Sequence, residues 1–177
     1  RAELYGLLAR LWMAPPDAAL LQQFAVAVTE APEGGLLEAP WQDLVAAMRA
    51  TDPDAVADEY EALFLGVGRP EVFLYGSYHL AGFLNERPLA RLRQDLARLG
   101  LERDPSRGET EDHIAFLAEA MRWLIAGDDA AVCNLEQQRR FVRAQVQPWA
   151  EKRCDAVEAH PRATLYRAVA GSTRSFV

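Results

Sequence analysis

The chain has 177 residues, half of them hydrophobic, and a formal net charge of −7. That charge argues against a general nucleic-acid binder, which needs a basic face to displace counterions, and against an anionic membrane surface, while it suits a basic partner. Cys133 and Cys154 lack metal-ligand spacing, and a reducing, cytoplasmic setting is the simpler reading beside a single buried pair; no apolar run approaches the ~20 residues of a membrane span, and the first residues read as an amphipathic helix rather than a signal peptide.

The periodicity is helical nearly throughout. Leu4, Leu7, Leu8, Leu11 and Trp12 recur at the spacing of one helix face. Pro15, Pro16 and Asp17 break the chain and restart it, with Asp17 as N-cap of a second helix carrying Leu20, Leu21, Phe24 and Val28. Glu33-Gly34-Gly35 reads as a loop, and Pro40 opens a third helix with Trp41, Leu44, Val45 and Met48 on one side. Asp52-Pro53 repeats the cap-and-proline signal. The helix it opens turns Val56, Tyr60, Leu63 and Phe64 inward and stops at Gly66.

Residues 67–76 read as a structured loop, Ser77 caps another helical stretch, and Pro88 restarts it with the stripe Leu89, Leu92, Leu96 and Leu99. Gly100 followed by Leu101 is the signature of a left-handed C-terminal cap. Residues 102–108 are charged and hold a proline and a glycine, the pattern of a hinge. Thr110 then caps a helix with Ile114, Leu117, Met121, Leu124 and Ile125 inward, stopped at Gly127. Asp128 or Asp129 starts the next, with Val132, Leu135, Val142 and Val146. Pro148-Trp149 restarts a helix that runs to His160, and Pro161 opens a last one with Leu165, Tyr166 and Val169. No alternating run is long enough for a strand. The expected fold is all-α, a compact bundle-like globule of roughly eight to ten helices. It forms a single domain over 1–177, divisible into lobes 1–101 and 110–177 joined by a hinge at 102–109.

Few residues form patterns that carry chemistry. His79, His113 and His160 stand far apart, in no metal-ligand motif, so neither a metal nor a cofactor is expected. Gly66-Val67-Gly68 lacks the preceding strand, third glycine and lysine of a nucleotide loop. A hydrolase triad of Ser77, Asp112 and His113 fails on geometry, because adjacent helical residues point ~100° apart. An enzyme with His113 as general base is the alternative from a different functional class.

Glu109-Thr110-Glu111-Asp112-His113 is the densest cluster, three carboxylates and a histidine at a helix start. Acids there favour the helix dipole by ~0.3–1 kcal/mol each, and the same carboxylates can pair bidentately with arginine. His113 is the misfit, since an imidazolium is disfavoured at the positive end of a helix. Val72-Phe73-Leu74-Tyr75, next to Gly76-Ser77-Tyr78, is a run of large apolar residues. It either folds back onto the core or offers a groove to a partner's hydrophobic segment.

Three of these motifs fall in one order. Glu59-Tyr60-Glu61-Ala62-Leu63-Phe64-Leu65-Gly66 resembles the Y-x-x-L-F-x-G segment of the TorD/DmsD/NarJ family of redox-enzyme maturation chaperones. Tyr75-Gly76-Ser77-Tyr78 is similar to its aromatic-x-Ser-aromatic segment, and Glu109-Thr110-Glu111-Asp112-His113 resembles its E-P-x-D-H motif. Thr110 and Val67 stand where the family usually has proline, and Tyr75 where some members have tryptophan. The resemblance runs from about Tyr5 to about Tyr166.

The resemblance implies a non-enzymatic cytoplasmic chaperone without a cofactor of its own. Its partner would be the apo-form of a molybdenum-containing oxidoreductase, gripped by an N-terminal leader of twin-arginine type and held until the cofactor is inserted. A NarJ-like assembly role for a non-exported nitrate-reductase-type enzyme is the alternative. Some members bind a guanine nucleotide, for which this sequence offers no motif. Carried over by motif, the peptide-contact positions are Leu63, Phe64, Gly66, Tyr75, Ser77, Tyr78, Asp112 and His113, with Glu109 and Glu111 as neighbouring carboxylates.

Overall fold

The computed structural model of the protein describes residues 1–26 and 35–177, and every regular element among them is helical. Val28 and the Glu33-Gly34 part of the expected loop lie outside the described residues. In chain order the helices are α1 (Ala2–Met13), α2 (Ala18–Val26), α3 (Glu38–Ala50), α4 (Pro53–Tyr60), α5 (Gly76–Ala81), α6 (Arg87–Arg98), α7 (Ile114–Ala126), α8 (Leu135–Phe141), α9 (Gln147–Glu158) and α10 (Leu165–Phe176). A π-helical turn, Glu61–Leu65, continues α4, and a second, Val142–Val146, joins α8 to α9. The chain divides into two units. Unit 1 comprises Arg1–Met13 and Phe73–Ala150; unit 2 comprises Ala14–Val72 and Glu151–Val177. Residues 102–109 lie inside unit 1.

In unit 1, α1 packs along α7. Tyr5, Leu8, Leu11 and Trp12 from the first and Leu117, Met121 and Leu124 from the second are buried. Each such side chain removed from water stabilises the unit by ~1.5–3 kcal/mol. Helix α6 ends as its sequence dictates. Gly100 sits at φ +74°, and the Leu101 N–H donates to the Leu96 carbonyl at 2.9 Å. Helix α8 does not start at Asp128 or Asp129. Asp129 instead closes a turn through the Val132 and Cys133 N–H groups, and Asn134 is the N-cap, its side chain accepting from the Gln137 N–H at 3.0 Å. Leu135, expected inward, is therefore exposed at the first turn. Pro148 does not break the chain either. The π-helical turn ahead of it bonds the Gln147 N–H to the Val142 carbonyl, five residues back, and the helix runs through. Such a turn widens the ladder just before a residue that has no N–H to contribute.

In unit 2, Asp17 caps α2 through the Leu20 N–H (2.7 Å), and Asp52 caps α4 through Asp54 and Ala55 (3.0 and 3.2 Å), with Pro53 at the first helical position. Helix α3 starts at Glu38, two residues before Pro40, which is tolerated because first-turn N–H groups have no partner to lose. Leu20, Leu21 and Phe24 of α2 and Leu44, Val45 and Met48 of α3 are buried, and α3 packs on both α2 and α10. Tyr60, Phe64 and Tyr166 form an aromatic cluster with ring centroids 4.9–5.6 Å apart.

Helix α10 begins at Leu165 rather than Pro161, because its cap comes from elsewhere. The buried Glu59 carboxylate accepts from the Thr164, Leu165 and Tyr166 N–H groups at 2.7, 3.1 and 2.9 Å. Gly66 stops the α4 segment at φ +63°, and a Cβ there would lie 2.2 Å from the Arg69 carbonyl oxygen. No side chain fits, so the glycine of the first motif is a steric requirement.

Candidate functional site

The second and third motifs meet in unit 1. Residues 74–76 are extended where they face 112–114, and Tyr75 pairs with His113 in an antiparallel bridge. The Ile114 N–H donates to the Leu74 carbonyl at 2.9 Å, and the Gly76 N–H to the Asp112 carbonyl at 3.0 Å. Tyr75 and His113 rings meet edge to face at 5.0 Å. Gly76 also lets the chain pass close to Trp149, since a Cβ there would sit a tight 3.0 Å from its Nε1.

Thr110 is not the cap of α7, contrary to expectation. The His113 N–H donates to the Thr110 carbonyl at 3.0 Å, folding 110–113 into a turn, and His113 itself is the N-cap. Its Nδ1 accepts from the Ala115 N–H at 3.2 Å. That lone pair makes the neutral imidazole, protonated at Nε2, a good cap and resolves the charge conflict at the helix start. Ser77 is not a cap either. Its backbone N–H donates to Asp112 Oδ2 at 2.8 Å, so the carboxylate satisfies a first-turn N–H of α5 from 35 residues away. Asp112 Oδ1 accepts from the Thr110 hydroxyl at 2.6 Å.

Ser77, Asp112 and His113 are 0, 3 and 4% exposed. They hold the turn, and the Ser77 hydroxyl is buried with no hydrogen-bond partner among the described residues. The partly open members are Tyr75, Tyr78, Glu109 and Glu111. Burial, then the negative charges of Glu109 and Asp112, raise the Tyr75 hydroxyl pKa above its usual value. Tyr78 stacks on Phe73 at 3.7 Å. The apolar run before them folds back, with Val72 and Leu74 buried.

Glu111 is held differently. Arg93 of α6 donates through Nε and Nη2 to its two oxygens, both at 2.9 Å. Partial burial pushes the Glu111 carboxyl pKa up, but the Arg93 bonds outweigh it and leave it below the ordinary value. The loop before it is tied down by Arg103, which donates to the Arg107 and Glu109 carbonyls at 3.0 and 3.2 Å.

Glu111 also lines a groove of ≈ 400 Å³ between the end of α6, the 102–107 loop and α7. Its apolar lining comes from Leu96, Leu101, Phe116, Leu117 and Trp123. Glu102, Asp104, Glu111 and Glu119 supply carboxylates, and Arg103, Arg107 and Arg122 stand among them. Sequence reasoning did not find this groove. The stripe of α6 and the face of α7 were each legible, but not that they leave a gap beside Glu111. Leu63, Phe64 and Gly66, the remaining motif residues, belong to unit 2, where Leu63 and Phe64 are core.

Among the described residues no helix is long and apolar enough to cross a membrane, and no group of His, Cys, Asp and Glu could hold a metal ion. None of the curated proteins matches the chain. Residues 33–155 match the family described as "Nitrate reductase delta subunit". This is a family of NarJ/TorD-type chaperones for molybdoenzyme maturation, not of catalysts. The match spans well over half the chain and takes in all three motifs, so the protein belongs to the nitrate reductase delta subunit family.

Proposed function

We propose that the protein is a cytoplasmic, system-specific chaperone that binds the N-terminal leader, of twin-arginine type, of a molybdenum-cofactor oxidoreductase. It holds the apo-enzyme while the cofactor is inserted and so delays export. The observation that supports this reading most is the groove beside Glu111, which joins an apolar lining to a mixed rim of four carboxylates and three arginines next to the third family motif. A leader is a basic segment followed by an apolar one. Its arginines find carboxylates at Glu109 and Glu111, and its apolar part finds Phe116 and Trp123. Tyr75 and Tyr78 border the turn that carries Glu111, while Ser77, Asp112 and His113 act by holding that turn in place. Leu63, Phe64 and Gly66 contribute through the packing of unit 2.

Charge supports the same partner. Unit 1 has twelve acidic and twelve basic residues, whereas unit 2 has fourteen acidic and seven basic, so the whole net charge of −7 lies in unit 2. The net charge of the chain favours a basic segment at long range, and discrimination at the groove falls to local carboxylates. The description of the matched family favours a second reading. In it the client is a nitrate-reductase-type enzyme that stays in the cytoplasm, and the same groove holds its N-terminal segment during assembly.

The test is isothermal titration of a synthetic peptide carrying Arg-Arg ahead of an apolar run. The expected affinity is modest and falls with added salt, because the free segment is disordered and part of the attraction is ionic. Trp123→Ala should weaken binding roughly tenfold or more, equivalent to ~1.4 kcal/mol. An unchanged affinity in a Trp123→Ala protein of normal unfolding midpoint would remove the groove from the reading.

A further inference from the structure

Glu111 differs from its neighbours in what its carboxylate is bonded to. Asp112 is committed to the chain's own turn, through the Ser77 N–H and the Thr110 hydroxyl. Glu111 bonds to a side chain, Arg93, in the two-pronged geometry that guanidinium and carboxylate prefer. The two partners are unequally embedded. Glu111 is 12% exposed and Arg93 is 52% exposed. The carboxylate is thus built into the turn, and the half-exposed cation reaches it from α6, at the flank of the buried stripe Leu89, Leu92 and Leu96. Half of Arg93 stands in solvent, which screens the pair, so the guanidinium can be exchanged without unpacking the core. Of the arginines that line the groove with Glu111, Arg103 is tied to two backbone carbonyls and Arg122 is paired with Glu119.

We propose that the oxygens of Glu111 form an arginine subsite at the end of the groove, and that Arg93 is its resident occupant, which an incoming guanidinium side chain must displace. The proposal rests on the groove reading above and adds a specific contact to it. Arg93 sets the threshold for binding. A partner segment without arginine leaves the resident pair intact, whereas one with arginine exchanges a bidentate pair for another and gains the apolar contacts beside it. Lysine cannot reproduce the two-pronged contact and displaces Arg93 poorly.

The experiment titrates wild type, Arg93→Ala and Glu111→Gln with three synthetic peptides that share an apolar run and carry Arg-Arg, Lys-Lys or Ala-Ala before it. Arg93→Ala should tighten the Arg-Arg peptide roughly two- to fivefold, the reach of one weak exposed pair, and leave the Ala-Ala peptide unchanged. Glu111→Gln should erase the preference for Arg-Arg over Lys-Lys. Arg93 is half exposed, so its variant should keep the wild-type unfolding midpoint. If all proteins bind the Arg-Arg peptide but Arg93→Ala does not tighten it, or tightens all three peptides alike, the subsite proposal is wrong and the groove reading stands. If no protein binds any peptide, both fall.

Discussion

Glu59→Ala should lower the stability of unit 2 by about 3–5 kcal/mol. The Glu59 carboxylate is buried and accepts three backbone N–H bonds, from Thr164, Leu165 and Tyr166. Those groups are the unpaired donors at the start of α10, where a negative charge also meets the positive helix end. Hydrogen bonds to a charged group contribute ~1.5–3 kcal/mol each, less than additively at one site. The alanine variant leaves the three donors buried around a cavity. It also loosens Tyr166, which packs on Tyr60 and Phe64. Glu59→Gln keeps one acceptor oxygen but turns an NH₂ toward a donor, so about half the loss should remain. Urea unfolding of the two variants beside wild type measures both numbers. A loss below about 1 kcal/mol in Glu59→Ala would show that water replaces the carboxylate and that it is no true cap.

The first family motif therefore has a physical reading that its sequence did not announce. Val56, Tyr60, Leu63 and Phe64 were legible as a core face from their spacing alone, and Gly66 as a stop. Glu59 sits beside them, and its spacing assigned it no role. Its partners lie more than one hundred residues away in sequence, and no local rule sees that far. The same limit explains the misplaced starts of α5 and α10, capped by Asp112 and Glu59, whereas α7 is capped locally by His113 and was misplaced because Thr110 carries the stronger capping signal. Asp17, Asp52 and Gly100 bond within five residues of themselves, and each was legible. Asn134 and Gln137 were equally local, but two aspartates upstream of them carry the same capping signal. Pro148 was read as a break because the sequence does not show the π-helical turn that accommodates it.

The candidate site divides along the same line. The motif residues were legible as a group, and the structure brings those of unit 1 together around one turn. What was not legible is which of them face outward. The motif singled out Asp112 for contact and left Glu109 and Glu111 as neighbouring carboxylates, yet Glu111 takes a side-chain cation, Asp112 takes a backbone donor and a hydroxyl, and the Glu109 carbonyl accepts from Arg103. Arg93 could not be assigned to Glu111, since eighteen residues separate them. The apolar run 72–75 was readable as core or as a groove, and the burial of its alternate residues Val72 and Leu74 decides for core. The groove beside Glu111 is lined by other residues.

Asp112→Ala tests whether that turn is a scaffold. The substitution removes the acceptor of the Ser77 N–H and of the Thr110 hydroxyl, both at a site where Asp112 is 3% exposed. One buried donor is left unpaired and a charge-assisted bond is lost, at a combined cost of about 3 kcal/mol. The effect should spread along the bridge that pairs Tyr75 with His113, because α5 is only six residues long and depends on its cap. Amide exchange should rise at Ser77, Gly76 and Ile114 together. Asp112→Asn keeps an acceptor toward Ser77 and is expected to cost about 1 kcal/mol, with peptide affinity close to that of wild type. The contrast between the two variants separates the roles. If Asp112 acts by holding the turn, binding follows stability, lost in alanine and kept in asparagine. If its charge instead met the peptide directly, asparagine would lose binding at nearly full stability. The burial of the carboxylate and its two internal partners make the first outcome the expected one, with Glu111 as the acid that faces the ligand.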